Sequence, residues 1–131
     1  MSYIDWDQSY SVGVAKFDAE HKKLLRMINQ LHDAIEAGRG DEMIAPLLDG
    51  LVDYVNTHFS HEEELMKKYN YSKYAWHKKI HDDFVDKVKR DIKLHERHLL
   101  SPIQLLNTLR NWLLNHICHD DKQYSDFFAD K

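Results

Sequence analysis

The stretch HFSHEEELMKKYNYSKYAWHKKIH, residues 58–81, holds four histidines and three glutamates around a Tyr-Asn-Tyr break. Before the break, His58 and Glu62 are four residues apart, and after it His77 and His81 are four residues apart. Residues at this spacing share one face of an α-helix. The stretch therefore predicts the end of one helix and the start of the next, each with a pair of polar side chains on one face.

Long helical segments surround this stretch, because only four glycines and two prolines interrupt the chain. Apolar residues spaced by three and four predict helices over residues 18–37, 42–69 and 73–96. A fourth helix opens at Ser101-Pro102-Ile103-Gln104, which is a capping box with proline at the first helical position. The sequence therefore predicts an all-α protein.

The predicted helix ends are close together in sequence, so consecutive helices should be antiparallel neighbours. Asp18 is the predicted N-cap of the first helix, and Gly38 is the residue predicted to end it. The expected architecture is an up-down-up-down four-helix bundle with an extended N-terminal arm. We expect residues 1–131 to form a single domain.

The composition, with 43% hydrophobic and 31% charged residues, is that of an ordinary soluble protein. The net charge of −4 and the lack of a basic cluster argue against nucleic acid and anionic membranes as partners. Neither a signal peptide nor an apolar run of about 20 residues is present to direct export or membrane insertion. The single cysteine, Cys118, fits a reducing cytoplasm. Ten histidines are the anomaly to explain.

Histidines extend the apolar stripe of every predicted helix. Those that continue a stripe at a spacing of three or four are His21, His58, His77, His81 and His116. They lie near the start of the first and third helices and near the end of the second and fourth, which is one end of an up-down-up-down bundle. These histidines and Glu62 are therefore predicted to converge. The neighbours predicted to face water are His61, Glu63, Glu64, Lys67 and Lys68.

Five imidazoles and a carboxylate suit iron, zinc or another borderline metal, and they exceed what one tetrahedral zinc needs. Two octahedral ions offer twelve positions. The imidazoles would fill five of them, two bridging carboxylates four and one oxo or hydroxo bridge two, so that one position stays open. The second carboxylate is expected within HICHDD, residues 116–121, where regular helical spacing prefers Asp120 over Asp121.

Four motifs resemble those of the hemerythrins, most closely the single-domain bacteriohemerythrins: VGVAKFDAEH ending at His21, HFSHE at 58–62, HKKIH at 77–81 and HICHDD at 116–121. The resemblance covers essentially the whole chain. In this family the last motif is His-x4-Asp, so the resemblance selects Asp121 instead of Asp120. It therefore implies a local widening of the fourth helix, such as a π-bulge.

The resemblance implies two iron ions per chain, joined by an oxo or hydroxo bridge. The implied ligands are His77, His81 and His116 for one iron, His21 and His58 for the other, and Glu62 and Asp121 as bridges. Hemerythrins bind dioxygen reversibly at the open position of the second iron. The implied function is thus oxygen storage or delivery to an oxygen-requiring enzyme, by a protein that is not itself an enzyme. We separately expect a cytoplasmic protein that is a monomer.

Four apolar residues flank the implied ligands: Leu24, Phe59, Leu113 and Ile117. They are either the lining of an oxygen pocket or ordinary core. Two other functions compete with oxygen carriage. One is a di-iron enzyme that acts as a peroxidase, as a ferroxidase or on nitric oxide, and the other is an oxygen or redox sensor.

Overall fold

The computed structural model describes residues 3–129 and consists of helices joined by short connections. The first three helices are α1 (Ala15–Glu36), α2 (Gly40–Lys68) and α3 (Tyr74–Glu96). The fourth rod begins as α4 (Pro102–Trp112), widens into a π-helix (Leu113–Asp120) and ends as α5 (Lys122–Ala129). The predicted all-α, up-down-up-down bundle is confirmed. Within residues 3–129, no helix is both long and apolar enough to cross a membrane.

Two of the predicted helix ends are confirmed. Gly38 has a φ of +73° just beyond α1, and the N–H of Arg39 donates to the carbonyl of Ala34 at 2.7 Å, which is a Schellman end. At the start of α4, the Ser101 hydroxyl accepts from the N–H of Gln104 at 3.1 Å, and the Gln104 side chain accepts from the N–H of Ser101 at 3.0 Å. This is the predicted capping box.

The prediction that Asp18 caps α1 is wrong, because the helix begins at Ala15 and Asp18 lies within its first turn. The Asp18 carboxylate instead accepts hydrogen bonds from the Val12 N–H at 2.8 Å and from the Ser11 hydroxyl. It therefore fastens the preceding arm to the helix. The same carboxylate also places negative charge near the positive end of the helix dipole.

The predicted N-terminal arm is present, and it contains one short 3-10 turn at Gln8–Tyr10. The side-chain amide of Asn29 binds both the N–H and the carbonyl of Ile4, each at 2.8 Å. Tyr3 stacks on His32 with ring centroids 4.2 Å apart. These contacts attach the arm to α1.

Two apolar clusters enclose the buried histidines. The main core takes apolar residues from all four rods, and a smaller cluster closes one end with Val12, Phe17, Met66, Tyr71, Tyr124 and Phe128. Phe59 and Trp112 of the main core stack on histidine rings at 3.8 and 4.0 Å. From the end cluster, Phe17 and Tyr124 meet other histidine rings edge-on or tilted. A polar layer is thus sealed between two apolar ones.

Candidate metal centre

The structure brings together all seven residues that the resemblance selected. Each is at most 2% exposed: His21, His58, Glu62, His77, His81, His116 and Asp121. They come from α1, α2, α3 and the π-helix with its following residue, so every rod of the bundle contributes. The antiparallel topology brings them to one level, because α1 and α3 start where α2 and the fourth rod end.

The donor atoms form two overlapping groups, in each of which the atoms lie within 4.8 Å of one another. The larger group, here called the five-donor half, is Glu62, His77, His81, His116 and Asp121. The smaller group, the four-donor half, is His21, His58, Glu62 and Asp121. The two halves share both carboxylates but no imidazole: the five-donor half has three imidazoles and the four-donor half has two.

The two carboxylates each direct one oxygen to each half. Oε1 of Glu62 lies 3.1 Å from Nε2 of His81, while its Oε2 lies 3.4 Å from Nε2 of His58. Oδ1 of Asp121 lies 2.9 Å from Nε2 of His116, while its Oδ2 lies 3.2 Å from Nε2 of His21. A pair of carboxylates placed in this way can bridge two cations.

The π-helix explains why Asp121 reaches this position. The N–H of Asp121 donates to the carbonyl of His116 five residues earlier, at 2.8 Å, so this turn is one residue wider than an α-helical turn. The widening implied by the His-x4-Asp motif is confirmed. Asp120, which regular spacing preferred, instead accepts from Nδ1 of His116 at 3.2 Å, on the outer side of that ring.

The buried donor atoms fit metal ions better than they fit one another. Although several of these atoms lie close together, the following form no hydrogen bond with residues 3–129: Nε2 of His77, His81 and His116, Oε1 of Glu62 and both carboxylate oxygens of Asp121. Burying such atoms unpaired is costly. Donors that share an ion about 2 Å away lie about 3 Å apart, which matches the spacings above. Cations in both halves would satisfy these atoms at once.

Carboxylates support three of the imidazoles from outside. Nδ1 of His58 lies 2.7 Å from Glu20, and Nδ1 of His81 lies 2.8 Å from Glu63. With Asp120 on His116, these carboxylates hold a proton on each Nδ1, so that Nε2 is the ring nitrogen that can bind a cation. The prediction that His61 and Glu63 face water is wrong, because both are partly buried, and Nδ1 of His61 binds the second oxygen of Glu20 at 2.5 Å.

Charges within the cluster oppose the effect of burial on its acids and bases. Burial alone would raise the pKa of Glu62, but the charge of His58 and the neighbouring imidazoles hold that pKa well below its usual range. Burial likewise would lower the pKa of His58, but Glu62 and Glu20 raise it to about 10. Without cations His58 is therefore protonated at neutral pH, and a metal ion must displace the proton from its Nε2 on binding.

Sequence reasoning missed several supporting residues. Tyr124 is fully buried, and its hydroxyl donates to Oε2 of Glu62. The sequence feature that could have identified Tyr124 is its position three residues after Asp121, which puts both residues on the same helical face. Glu20 and Glu63 are direct sequence neighbours of His21 and Glu62, and they turn away from those residues to reach histidines on other helices.

Replacing Glu20 with glutamine should weaken metal binding about 10- to 100-fold, because His58 would lose the carboxylate that orients its ring. Competition with a chromophoric chelator measures this affinity. Glu64→Gln is the matched control, since Glu64 is an exposed glutamate on α2, the helix that carries His58. Equal affinities for the two variants would show that Glu20 does not support the site.

Comparisons with known proteins agree with this geometry. The family model described as "Hemerythrin HHE cation binding domain" matches residues 12–127. A bacteriohemerythrin of Pseudomonas aeruginosa is 36% identical over 126 residues, which cover 96% of this chain and 82% of that protein. A bacteriohemerythrin of Methylococcus capsulatus is 36% identical over 127 residues, which cover 95% of each chain. The crystal structure of a wild-type hemerythrin superposes with a TM-score of 0.84 at 32% identity, covering 95% of this chain and 97% of that one.

These matches run through every rod that contributes to the cluster. The family model begins ahead of α1 and ends within α5, so all seven buried donors fall inside it. On this agreement of sequence, fold and buried donors, the chain belongs to the hemerythrin family.

Proposed function

We propose that the protein binds dioxygen reversibly at a centre of two iron ions, for oxygen storage or for delivery to an oxygen-consuming enzyme. The observation that carries this proposal is the inequality of the two halves, with five donors against four. If each half holds one ion, the four-donor half has room for one more small ligand. We further propose that residues 1–131 act as one domain, as a cytoplasmic monomer.

The residues of each half would bind a different iron ion. His77, His81 and His116 would hold one iron, His21 and His58 the other, and Glu62 and Asp121 would bridge them. Two ferrous ions, when bound, would supply the two electrons that reversible oxygen binding requires. The protein's part is to fix the donors, to keep the ions at a constant separation and to exclude water.

Water exclusion is the proposed role of the four apolar residues beside the ligands. Leu24, Leu113 and Ile117 are 0% exposed, and Phe59 is 5% exposed. Phe59 lies flat on the His81 ring, with an interplanar angle of 3°. A dry site limits the supply of protons and water that would leave the metal ions oxidised.

Replacing Leu113 with threonine should therefore speed autoxidation about tenfold while both ions stay bound, because a hydroxyl can bring water to the site. Decay of the oxygenated visible spectrum in air measures the rate. Leu31→Thr is the matched control: Leu31 is equally buried in α1, but it lies ten residues beyond His21, about 15 Å along the helix. Similar autoxidation rates for the two variants would show that Leu113 does not keep water away from the bound oxygen.

The proposed function is tested by a visible spectrum of the reduced, iron-loaded protein before air, after air and after evacuation. A carrier gains an absorption band in air and loses it under vacuum, through repeated cycles. An enzyme instead consumes oxygen over many turnovers when a simple reductant is present. Loss of the band only after added reductant, or sustained oxygen consumption, would contradict reversible binding.

A further inference from the structure

Tyr54 is a buried tyrosine whose hydroxyl has no hydrogen-bond partner among residues 3–129. The residue is 2% exposed, and its ring stacks on the ring of His58 with centroids 5.2 Å apart and an interplanar angle of 17°. Buried hydroxyl groups are normally hydrogen-bonded, because they have given up their bonds to water. The hydroxyl of Tyr54 therefore needs a hydrogen-bond partner that residues 3–129 do not supply. Its ring lies against His58, which belongs to the four-donor half.

Helix direction places Tyr54 on the interior side of that half. On α2 it comes one turn before His58, whereas Glu62 comes one turn after, toward the end of the bundle. On α1, which runs the opposite way, Leu24 follows His21 and so also lies on the interior side. Tyr54 and Leu24 thus border the same side of the four-donor half.

The outer side of the four-donor half already has a tyrosine. The Tyr124 hydroxyl is committed to Glu62 and cannot serve an added ligand with the same proton. Tyr54 has no such commitment. A phenol is protonated at neutral pH, so the hydroxyl can donate a hydrogen bond.

We propose that the Tyr54 hydroxyl donates a hydrogen bond to the small ligand held in the four-donor half. The proposal rests on the proposed function, and it makes Tyr54 a specificity residue of that site. Ligands with an acceptor atom, which include dioxygen and small anions such as azide, gain from this contact. The ligand site would then contain one hydrogen-bond donor, the Tyr54 hydroxyl, within an apolar lining. The apolar residues would keep water from bonding to that hydroxyl.

The test compares Tyr54→Phe with Tyr71→Phe in the iron-loaded protein. Tyr71 is the matched control, since it is another buried tyrosine with an unpartnered hydroxyl, but it lies in the end cluster against Phe127. Titration of the oxidised protein with azide should show about fivefold to tenfold weaker binding in Tyr54→Phe and no change in Tyr71→Phe. Oxygen release from the reduced, oxygenated protein should be faster in Tyr54→Phe by a similar factor.

Solvent deuteration separates ligand contact from packing. Oxygen release should respond to D2O in the wild-type protein, and this response should shrink in Tyr54→Phe. A hydroxyl bonded only to a buried water would instead change the melting temperature of the variant and leave azide affinity within twofold of wild type, which would overturn the proposal. If the wild-type protein fails the oxygen cycle while azide binding still weakens in Tyr54→Phe, the proposed function falls and the Tyr54 contact stands for anions.

Discussion

Removing the metal ions should lower the melting temperature of the protein by about 10–20 °C. A ligand present at about 1,000 times its dissociation constant stabilises the native state by about 4 kcal/mol, and each kcal/mol moves the melting temperature of a chain of this size by about 3–5 °C. The physical reason is the sealed polar layer, in which five imidazoles and two carboxylates face one another out of water.

The comparison needs iron-loaded, chelator-treated and reloaded protein, measured by calorimetry in one buffer. Reloading should restore the original melting temperature, which excludes damage by the chelator. Hydrogen exchange should locate the loss: amides of the π-helix, Leu113–Asp120, should exchange faster without metal, while those around Leu31 in the main core change less. Identical melting curves with and without metal would contradict the prediction.

Asp121→Ala should abolish most metal binding, whereas Asp120→Ala should keep both ions with about tenfold weaker affinity. Asp121 directs an oxygen to each half, so its loss removes one ligand from both ions. Asp120 contacts only the outer nitrogen of His116, where loss of the carboxylate reduces orientation and leaves the donor in place.

Iron content per chain after saturation and gel filtration measures the difference between the two aspartate variants. The paired design controls for charge and for helix position, because the two residues are adjacent and each variant removes one carboxylate. Full loading of Asp121→Ala with loss from Asp120→Ala would mean that the fourth rod is a regular α-helix in solution.

The convergence of the histidines could be predicted because it depends on two simple rules. The 3.6-residue period puts His58 and Glu62 on one face, and the antiparallel order of the rods puts those faces at one end. Neither rule requires knowledge of side-chain contacts. The fold class followed from the same stripes, together with clear ends such as Gly38 and the Ser101 capping box.

The same period misplaced the second carboxylate. Helical spacing assumes a regular helix, and the fourth rod departs from it between His116 and Asp121. Nothing in HICHDD marks a π-helix, so the residues alone favoured Asp120, and only the family resemblance selected Asp121. The N-cap prediction for Asp18 failed for a related reason. Aspartate is a favourable capping residue, but the Asp18 carboxylate binds the N-terminal arm instead, and the helix begins three residues earlier, at Ala15.

Sequence periodicity could not predict side-chain contacts between residues that are far apart in the chain. The bond from Tyr124 to Glu62 joins residues 62 positions apart, and that from Glu20 to His58 joins residues 38 apart. Tyr54 lies one turn before His58 on α2, but this spacing does not show whether its hydroxyl finds a partner. Only the folded chain shows that this hydroxyl is buried with no partner among residues 3–129.

Anomalous diffraction from iron-loaded crystals, recorded at the iron absorption edge, tests the central claim most directly. The two halves predict two peaks per chain, both beside the carboxylates of Glu62 and Asp121. One should lie about 2 Å from Nε2 of His77, His81 and His116, and the other about 2 Å from Nε2 of His21 and His58. A single peak, or a peak bound by His61 or His119, would contradict the proposed two-iron centre.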